Sequence, residues 1–437
     1  MLLFLKNTGN AKNYFSFLLA LLPISFIAGN MIININVIIL IISALVLYKK
    51  ELFKFQFKLL DKFLLLFFIL ILFTALYNDI FIIVNDLYPP GYPSILKSVL
   101  FLKYLFLYFT IKFLIGNRII NLKYFFISCT SCALFVSFDI FYQFIFGRDL
   151  FGFEPVGRRL SGPFGDELIA GGYLQRFSIF SFFLIPLFFK DFSNKYLKFL
   201  IPIFFIIFFT ALMLSGNRMP FILFIFTIFL IVLFQNQTRK YLLSFVIIFS
   251  FLFIFIYNAS DKAKMNFNTF KMQISNMLVI AVKGDFKNKN SPQYLREFAT
   301  FYDTWLINKY IGGGVKNFRY YCHHRPNKDK NSKFICNMHP HNYYLEILTE
   351  TGVIGFIVIS LIFLQVLYLS FYKKYIIKSS LSANNIIVPF IFLFIVEIFP
   401  LKSTGSFFTT GNTTYLFLIL AAIIGLSCKE NLIEKKI

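Results

Sequence analysis

The sequence carries little charge for its length. Of its 437 residues, 14% are Asp, Glu, Lys or Arg, whereas 58% are hydrophobic. A soluble domain has roughly a quarter charged residues, so this composition excludes an ordinary soluble globular protein. In the bilayer core every backbone polar group must be paired within the protein, which favours helices. We therefore predict an all-α polytopic membrane protein.

Cysteine and histidine are also scarce. Five Cys residues exclude a dense disulfide framework, and all four His residues lie between positions 323 and 341. Cys322 and Cys336 are close enough in sequence to form a short disulfide in an oxidising compartment. The alternative is a zinc site that adds His339 and His341, but this spacing matches no common zinc pattern.

Acidic residues are outnumbered by basic ones, 20 against 43, which gives a net charge of +23. Such a charge would suggest nucleic-acid binding in a soluble protein. In a membrane protein it reports orientation, because cytoplasmic loops retain Lys and Arg. With the N-terminus inside, about twenty basic residues fall in cytoplasmic segments and about six in the short outer loops. We predict a multi-pass membrane protein with both termini cytoplasmic and no nucleic-acid partner.

Apolar runs of roughly 17–25 residues can cross the hydrocarbon core as helices. We predict about twelve of them, near 13–29, 31–48, 63–83, 98–116, 124–146, 171–189, 199–215, 219–235, 241–258, 351–372, 386–401 and 412–428. The first run is followed at once by a second, so it is interpreted as a retained helix, not a cleaved signal peptide.

The predicted helices divide the chain into three parts. Residues 1–258 hold nine helices and short loops, among them an outer loop at 147–170. Residues 259–350 form a large polar outer loop, and a loop of that length is usually functional or disordered. It contains the four His residues and Gly312-Gly313-Gly314, which favours function. Residues 351–437 hold three more helices and a cytoplasmic tail.

The segment from His339 to Gly355 carries the strongest chemical signal. Pro340 suits the first turn of a helix, and the spacing of four between Glu346 and Glu350 places both carboxylates on one face. His341 then lies in the first helical turn, and a neutral histidine at a membrane surface is a competent general base. The alternative is a solvated histidine pair at a loop–helix junction.

His341-Asn342, nine residues and then Gly352-Val353-Ile354-Gly355 resembles the His-[Asn/Ser/Gln]-x9-Gly-x-x-Gly signature of the O-antigen ligase and polymerase superfamily. Other segments resemble conserved parts of the same family, in the same order: 159–167, 214–218, 305–319 and 399–408. Together they cover about 150 to 425. One departure is that Gly313-Gly314 replaces the more usual Gly-Val-Gly run.

The resemblance implies a metal-independent, inverting glycosyltransferase that needs no cofactor. It would move a glycan from a polyprenyl diphosphate donor to an acceptor hydroxyl at the periplasmic face, as a surface polysaccharide polymerase or a ligase to lipid A core. Expected partners are the lipid-linked glycan, an acceptor glycolipid and membrane lipids, with a chain-length regulator or flippase beside them. The alternative is a transporter or flippase of lipid-linked oligosaccharide, which would carry its polar residues near the bilayer midplane.

The implied reaction needs a base and a binding site for diphosphate. We predict His341 as the base, with Arg218 and Arg159 holding the diphosphate, because guanidinium binds phosphate oxygens bidentately. Snorkelling towards lipid headgroups is the alternative for Arg218. Further candidates for substrate binding are Arg158, Asp166, Glu167, Arg176, Arg319, His339, Asn342, Glu346 and Lys402.

Several of these residues also have plain structural alternatives. Arg176 could form a buried ion pair with Asp166 or Glu167, and Lys402 could pair with Glu397. In the fifth predicted helix, Asp139 and Gln143 share a face and are interpreted as interhelical hydrogen-bonding residues.

Overall fold

A computed structural model describes residues 8–53, 57–84, 94–157, 159–188, 195–235, 242–259, 261–283, 293–326, 336, 341–377, 386–403 and 405–434. Within these residues the protein is helical, and the only β pairing is an isolated bridge between Val156 and Arg159. The predicted all-α class is therefore confirmed.

The α-helices of the described residues follow in chain order. They are α1 (Thr8–Ala20), α2 (Leu22–Ala28), α3 (Asn30–Tyr48), α4 (Leu59–Val84), α5 (Ser94–Phe101), α6 (Lys103–Gly116), α7 (Leu122–Phe146), α8 (Ala170–Phe177), α9 (Ser181–Phe188), α10 (Lys195–Leu214), α11 (Arg218–Phe234), α12 (Leu242–Ala259), α13 (Asp261–Lys283), α14 (Gln293–Trp305), α15 (Phe318–Tyr321), α16 (Tyr343–Leu367), α17 (Ile387–Glu397) and α18 (Thr410–Glu434).

Seven helical segments of the described chain are long and apolar enough to cross a membrane. They are Gly9–Ala28, Asn30–Tyr48, Leu59–Ile80, Ser94–Gly116, Leu122–Phe146, Tyr343–Tyr372 and Thr410–Ser427. Four shorter apolar helices, Leu200–Leu214, Arg218–Phe234, Ser244–Ala259 and Ile387–Glu397, fall where spans were also predicted. A membrane protein with several spans is thus confirmed, while the total of twelve stays a prediction.

The structure differs from the prediction in two segments. The predicted span at 171–189 is divided by the 3-10 turn Ser178–Phe180, which separates α8 from α9. The predicted loop at 259–350 contains α13, α14, α15 and the first turns of α16, so much of it is helical.

Burial distinguishes central helices from peripheral ones. In α18, 83% of the segment Thr410–Ser427 is buried, against 33% for α3. Exposed Phe and Ile side chains on the outer helices suit contact with lipid. The centre of the bundle is aromatic, and Phe390 of α17 packs within 5.1 Å of Phe180, measured between ring centres. Helices α17 and α18 therefore lie within the apolar core of the bundle.

One buried ion pair marks one end of the bundle. Lys112 Nζ lies 2.6 Å from a carboxylate oxygen of Asp61 in the first turn of α4, and the Tyr108 hydroxyl donates to the same carboxylate at 2.7 Å. Asn78, seventeen residues further along α4, instead donates to the carbonyl of Gly312 at 2.9 Å. At 1.5 Å per residue the two positions are about 25 Å apart. The Gly-rich run therefore lies at the opposite end of α4 from Asp61.

Candidate functional site

The helix that follows His341 is broken at Gly352. This residue has φ +65° and ψ −172°, and a Cβ there would lie 2.1 Å from the carbonyl oxygen of Tyr310. The broken helical hydrogen bonds are replaced, because the Val353 amide donates to Lys309 O at 2.9 Å and the Ile354 amide to Tyr310 O at 3.3 Å. Only glycine suits this backbone and this close approach. The break separates residues 343–351 from the rest of α16.

The Gly-rich run packs directly against this break. The Gly313 and Gly314 amides donate to the carbonyls of Thr349 and Glu350, both at 2.9 Å. Gly312 has φ +83°, and a Cβ on it would lie 2.4 Å from the Gly352 nitrogen. Two motifs that are forty residues apart in the sequence thus form one backbone-to-backbone contact, in which both partners need glycine.

Asn342 fixes the start of α16 in two directions. Its Oδ1 accepts hydrogen bonds from the amides of Tyr344 at 3.0 Å and Leu345 at 3.1 Å, which makes it the N-cap. Its Nδ2 donates to the carbonyls of Pro400 at 2.7 Å and Lys402 at 3.1 Å. Both ends of this buried amide thus bond within the protein. Its role in substrate binding stays a prediction.

His341 directly precedes this cap and is half-buried, so it lies just before α16 and not in its first turn as predicted. Its φ of +55° lies in the left-handed region, which non-glycine residues seldom adopt. Such a conformation persists only where surrounding contacts hold it, and residues of this kind cluster at functional sites. The Asn342 bonds supply that restraint from the C-terminal side.

Glu346 is fully buried and joins three segments. Its carboxylate accepts from the Ser406 hydroxyl at 2.6 Å and from the Phe407 amide at 2.5 Å. Lys316 Nζ lies 3.3 Å from the same carboxylate and donates to Ser406 at 2.8 Å. Lys316 has φ +65° and lies two residues after the Gly-rich run. It was not among the predicted site residues, although its position beside that run could have indicated it.

Glu397, at the end of α17, is the centre of a second buried cluster. Arg176 Nη2 lies 2.8 Å from Glu397 Oε1 and also donates to Asn412 Oδ1 at 2.7 Å. Lys402 Nζ lies 2.5 Å from Glu397 Oε1, and the Tyr343 hydroxyl donates to that oxygen at 2.6 Å. Burial lowers the pKa of Lys402 to about 8, against the attraction of Glu397.

This cluster settles the ion-pair alternatives for Arg176 and Lys402. Arg176 pairs with Glu397, while Asp166 and Glu167 are exposed. Lys402 shares the same partner. Direct substrate contact by these residues stays a prediction.

The arginines predicted to bind diphosphate lie on neighbouring turns. Arg159 ends a tight turn closed by reciprocal backbone bonds with Val156 at 3.1 Å. The next amide, of Leu160, donates to the Ser215 carbonyl at 3.2 Å, three residues before Arg218. Arg218 opens α11, is half-buried, and its guanidinium carbon lies 5.7 Å from the ring centre of Phe270. The Arg159 and Arg218 turns are therefore directly joined.

Helix α8 connects these turns to the Glu397 cluster. A Cβ on Gly171 would lie 2.5 Å from the Cβ of Asn217, so α8 packs closely on the residue before Arg218. One and a half helical turns later, the same helix provides Arg176 to Glu397. The segments that carry Arg159, Arg218 and His341 consequently meet around α8 and α17.

Within the described residues, Asp139 and Gln143 bond to the segment that follows α7 and to no other α-helix. Asp139 Oδ1 accepts from the Leu150 amide at 2.8 Å, and Gln143 Oε1 accepts from the Gly162 amide at 3.0 Å. Gln143 Nε2 also donates to the Phe153 carbonyl at 3.2 Å. The interhelical interpretation was therefore wrong for the contacts shown. Polar side chains at a helix end serve loop backbones equally well.

Cys322 and Cys336 form a disulfide, so neither sulfur is available to a zinc ion. Arg325 donates to the Cys322 carbonyl at 2.8 Å, and the rings of Phe301 and Phe318 stack beside Cys322, 3.6 Å between centres. In the part of the chain that the structure describes, no three His, Cys, Asp or Glu side chains are grouped to hold a metal.

The predicted set also includes Arg319 and two residues outside the described part of the chain. Arg158 and His339 lie outside the described residues. Arg319 is half-buried, and its guanidinium carbon lies 5.2 Å from the Tyr320 ring centre. Its positive charge lies close enough to Lys97 for the two to repel each other.

Residues 203–360 match the O-antigen ligase family. The matched segment runs from α10 into α16 and includes Arg218, the Gly-rich run and His341 through Gly355. The match confirms the resemblance found in the sequence, and it supports glycan transfer of the ligase or polymerase type at the inner membrane. No curated protein sequence matches the chain.

Proposed function

We propose that this chain, with its O-antigen ligase domain at residues 203–360, transfers a glycan from a polyprenyl diphosphate to an acceptor hydroxyl at the periplasmic face. The acceptor would be another lipid-linked glycan for a polymerase, or lipid A core for a ligase; we favour the polymerase. The observation that carries the proposal is the broken helix. Its first residue, Tyr343, follows His341 by two positions and bonds Glu397, which also binds Arg176 of the helix that packs beside the Arg218 turn.

The proposed reaction is an inverting displacement that needs no metal. His341 accepts the proton of the acceptor hydroxyl while its oxygen attacks the anomeric carbon of the donor. The bond from that carbon to the diphosphate oxygen breaks, and the polyprenyl diphosphate leaves with the electron pair. Arg218 and Arg159 stabilise the charge that develops on the leaving group.

The placement of the arginines supports this division of roles. A half-buried guanidinium at a helix start is costly to desolvate, and a bound diphosphate would offset that cost. The Leu160–Ser215 hydrogen bond joins the Arg159 turn to the Arg218 turn, which supports a shared role for the two arginines. Preorganised charge of this kind stabilises a transition state without reorganisation during the reaction.

Replacing His341 by Ala tests the base. In a deletion strain carrying the variant, we expect surface polysaccharide to fall at least about a hundredfold, the usual contribution of a general base. His324→Ala is the matched control, because His324 is exposed in the same outer segment. Wild-type polysaccharide in cells with the His341→Ala variant, at equal membrane abundance, would remove the base assignment.

The alternative function is transport or flipping of the lipid-linked oligosaccharide. The charged clusters of the described helices lie at helix ends, around Asp61 and around Glu397, which favours surface chemistry over a midplane transport site. The deletion phenotype separates the candidates. Single-repeat surface glycan indicates a lost polymerase, free lipid-linked polymer a lost ligase, and absence of periplasmic repeat units a lost flippase.

A further inference from the structure

The Glu397 cluster connects elements from distant parts of the chain. Arg176 comes from α8, Tyr343 from α16, Glu397 from α17 and Asn412 from α18, while Lys402 lies in the turn between α17 and α18. Glu397 is fully buried and the side chain of Lys402 is 5% exposed. A buried ion cluster contributes little net stability compared with apolar packing, but its geometry is specific.

The cluster closes a ring of contacts around the residue after His341. Asn342 donates to the backbone carbonyl of Lys402 at 3.1 Å. The side chain of Lys402 returns to Tyr343, with its Nζ 4.4 Å from the ring centre and 3.3 Å from the hydroxyl. A shift of either the helix start or the 398–409 turn would therefore break contacts in the other. His341 is the residue that directly precedes these contacts in the chain.

We propose that Arg176, Glu397 and Lys402 are positioning residues that hold the His341-bearing start of α16, in place of the direct substrate contacts predicted for Arg176 and Lys402. The inference rests on the proposed function, because it gives these residues their effect through His341. Each has a partner within the cluster, and the side chain of Lys402 is almost fully enclosed, as a positioning role requires.

The cluster contains two cations and one carboxylate, so its integrity depends on the charge of Lys402. The groups that face Lys402 are Glu397, Arg176 and Tyr343. Tyr415 lies against the guanidinium of Arg176, and Glu346 is three residues after Tyr343 in α16. Burial lowers the pKa of Lys402 to about 8. Above that pH the ammonium loses its proton, and the ion pair and the cation–π contact with Tyr343 are lost.

The test is the pH profile of glycan transfer in membranes that contain endogenous lipid-linked glycan, with wild type compared to Lys402→Arg. With a pKa of about 8, about one in ten Lys402 side chains keeps its proton at pH 9, so wild-type transfer should be about tenfold below its maximum. Arginine stays charged, so Lys402→Arg should keep its rate at pH 9. Identical alkaline limbs in the two proteins would overturn the proposal.

Tyr343→Phe provides a second variant in case arginine does not fit. It keeps the ring beneath Lys402 but removes the hydroxyl that bonds Glu397. A positioning role predicts a rate lowered about tenfold, with the apparent KM for the acceptor nearly unchanged. A raised KM at an unchanged rate would instead indicate a substrate contact and would overturn the positioning role.

Lys112→Arg is the matched control. Lys112 of α6 forms the same kind of buried ion pair with Asp61, which also accepts a bond from Tyr108, at the end of α4 opposite the Gly-rich run. The Lys112→Arg variant should leave the pH profile of transfer unchanged, whatever its effect on stability. A wild-type protein that shows no transfer at any pH would contradict the proposed function itself, whereas transfer without the Lys402 effect contradicts only this inference.

Discussion

Asn342 shows how one residue of a catalytic signature acts through structure. It caps α16 with its oxygen and binds the 398–409 turn with its nitrogen, using both ends of one amide. Aspartate would keep the cap but would place a carboxylate against two carbonyl oxygens. The residue beside His341 is thus restricted by backbone geometry before any substrate is considered.

Substitutions at Asn342 should separate these two roles. Asn342→Ala removes the cap and the two donated bonds, so we expect a loss of at least about 1 kcal/mol of stability. Asn342→Ser keeps an oxygen for the cap and should lose less. Thermal unfolding of the detergent-purified proteins measures both. Equal melting temperatures for wild type and Asn342→Ala would contradict the assignment as a cap.

At the residue scale the sequence predicted a shared helical face better than long-range contacts. The spacing of Glu346 and Glu350 correctly placed them on one helical face. It did not predict that Glu346 accepts from Ser406 and Phe407, sixty residues later, because periodicity carries no long-range information. The partner of Arg176 was missed for the same reason, since Glu397 is 221 residues away.

The break in α16 is the element on which the site depends. Its two glycine motifs form one contact, so Gly312 and Gly352 act as a pair. The sequence predicted a span that begins at 351, which is close to the observed break. It did not predict that residues 343–351 continue the same helical segment with a change of direction, because glycine within an apolar run is also compatible with an unbroken helix.

Replacing Gly352 by alanine should disrupt the contact between the Gly-rich run and the break in α16. The left-handed backbone and the approach of Tyr310 O predict a loss of more than about 2 kcal/mol, with transfer strongly reduced. Gly172→Ala is the control, because a Cβ there meets nothing within 4 Å in a regular helix. Melting temperature and transfer rate should both fall for Gly352→Ala alone. Normal values for both would contradict the packing described for the break.

At the scale of the whole molecule, hydropathy predicted the long spans well. Seven of the predicted spans coincide with helical segments that are long and apolar enough to cross a membrane. The polar segment 259–350 was predicted as a loop because its mean hydropathy is low, although α13 and α14 lie within it. Helices of this kind are stabilised by packing against neighbouring helices, as Phe267 of α13 packs on Phe253 of α12. Mean hydropathy does not detect them, because only one face is apolar.

The assembly of the site is likewise a property of the fold. The arginines, the glycine run and the histidine come from segments between positions 159 and 355, and only the helix packing joins them. The family resemblance indicated that they act together; the Leu160–Ser215, Gly171–Asn217 and Arg176–Glu397 contacts give the physical connection.

The most direct test of the account is a cryo-EM structure of the protein with a polyprenyl diphosphate-linked glycan bound. We predict diphosphate oxygens within about 3 Å of the guanidinium groups of Arg218 and Arg159, with the imidazole of His341 facing the anomeric carbon. A diphosphate bound away from both arginines, or separated from His341 by packed protein, would contradict the central claim.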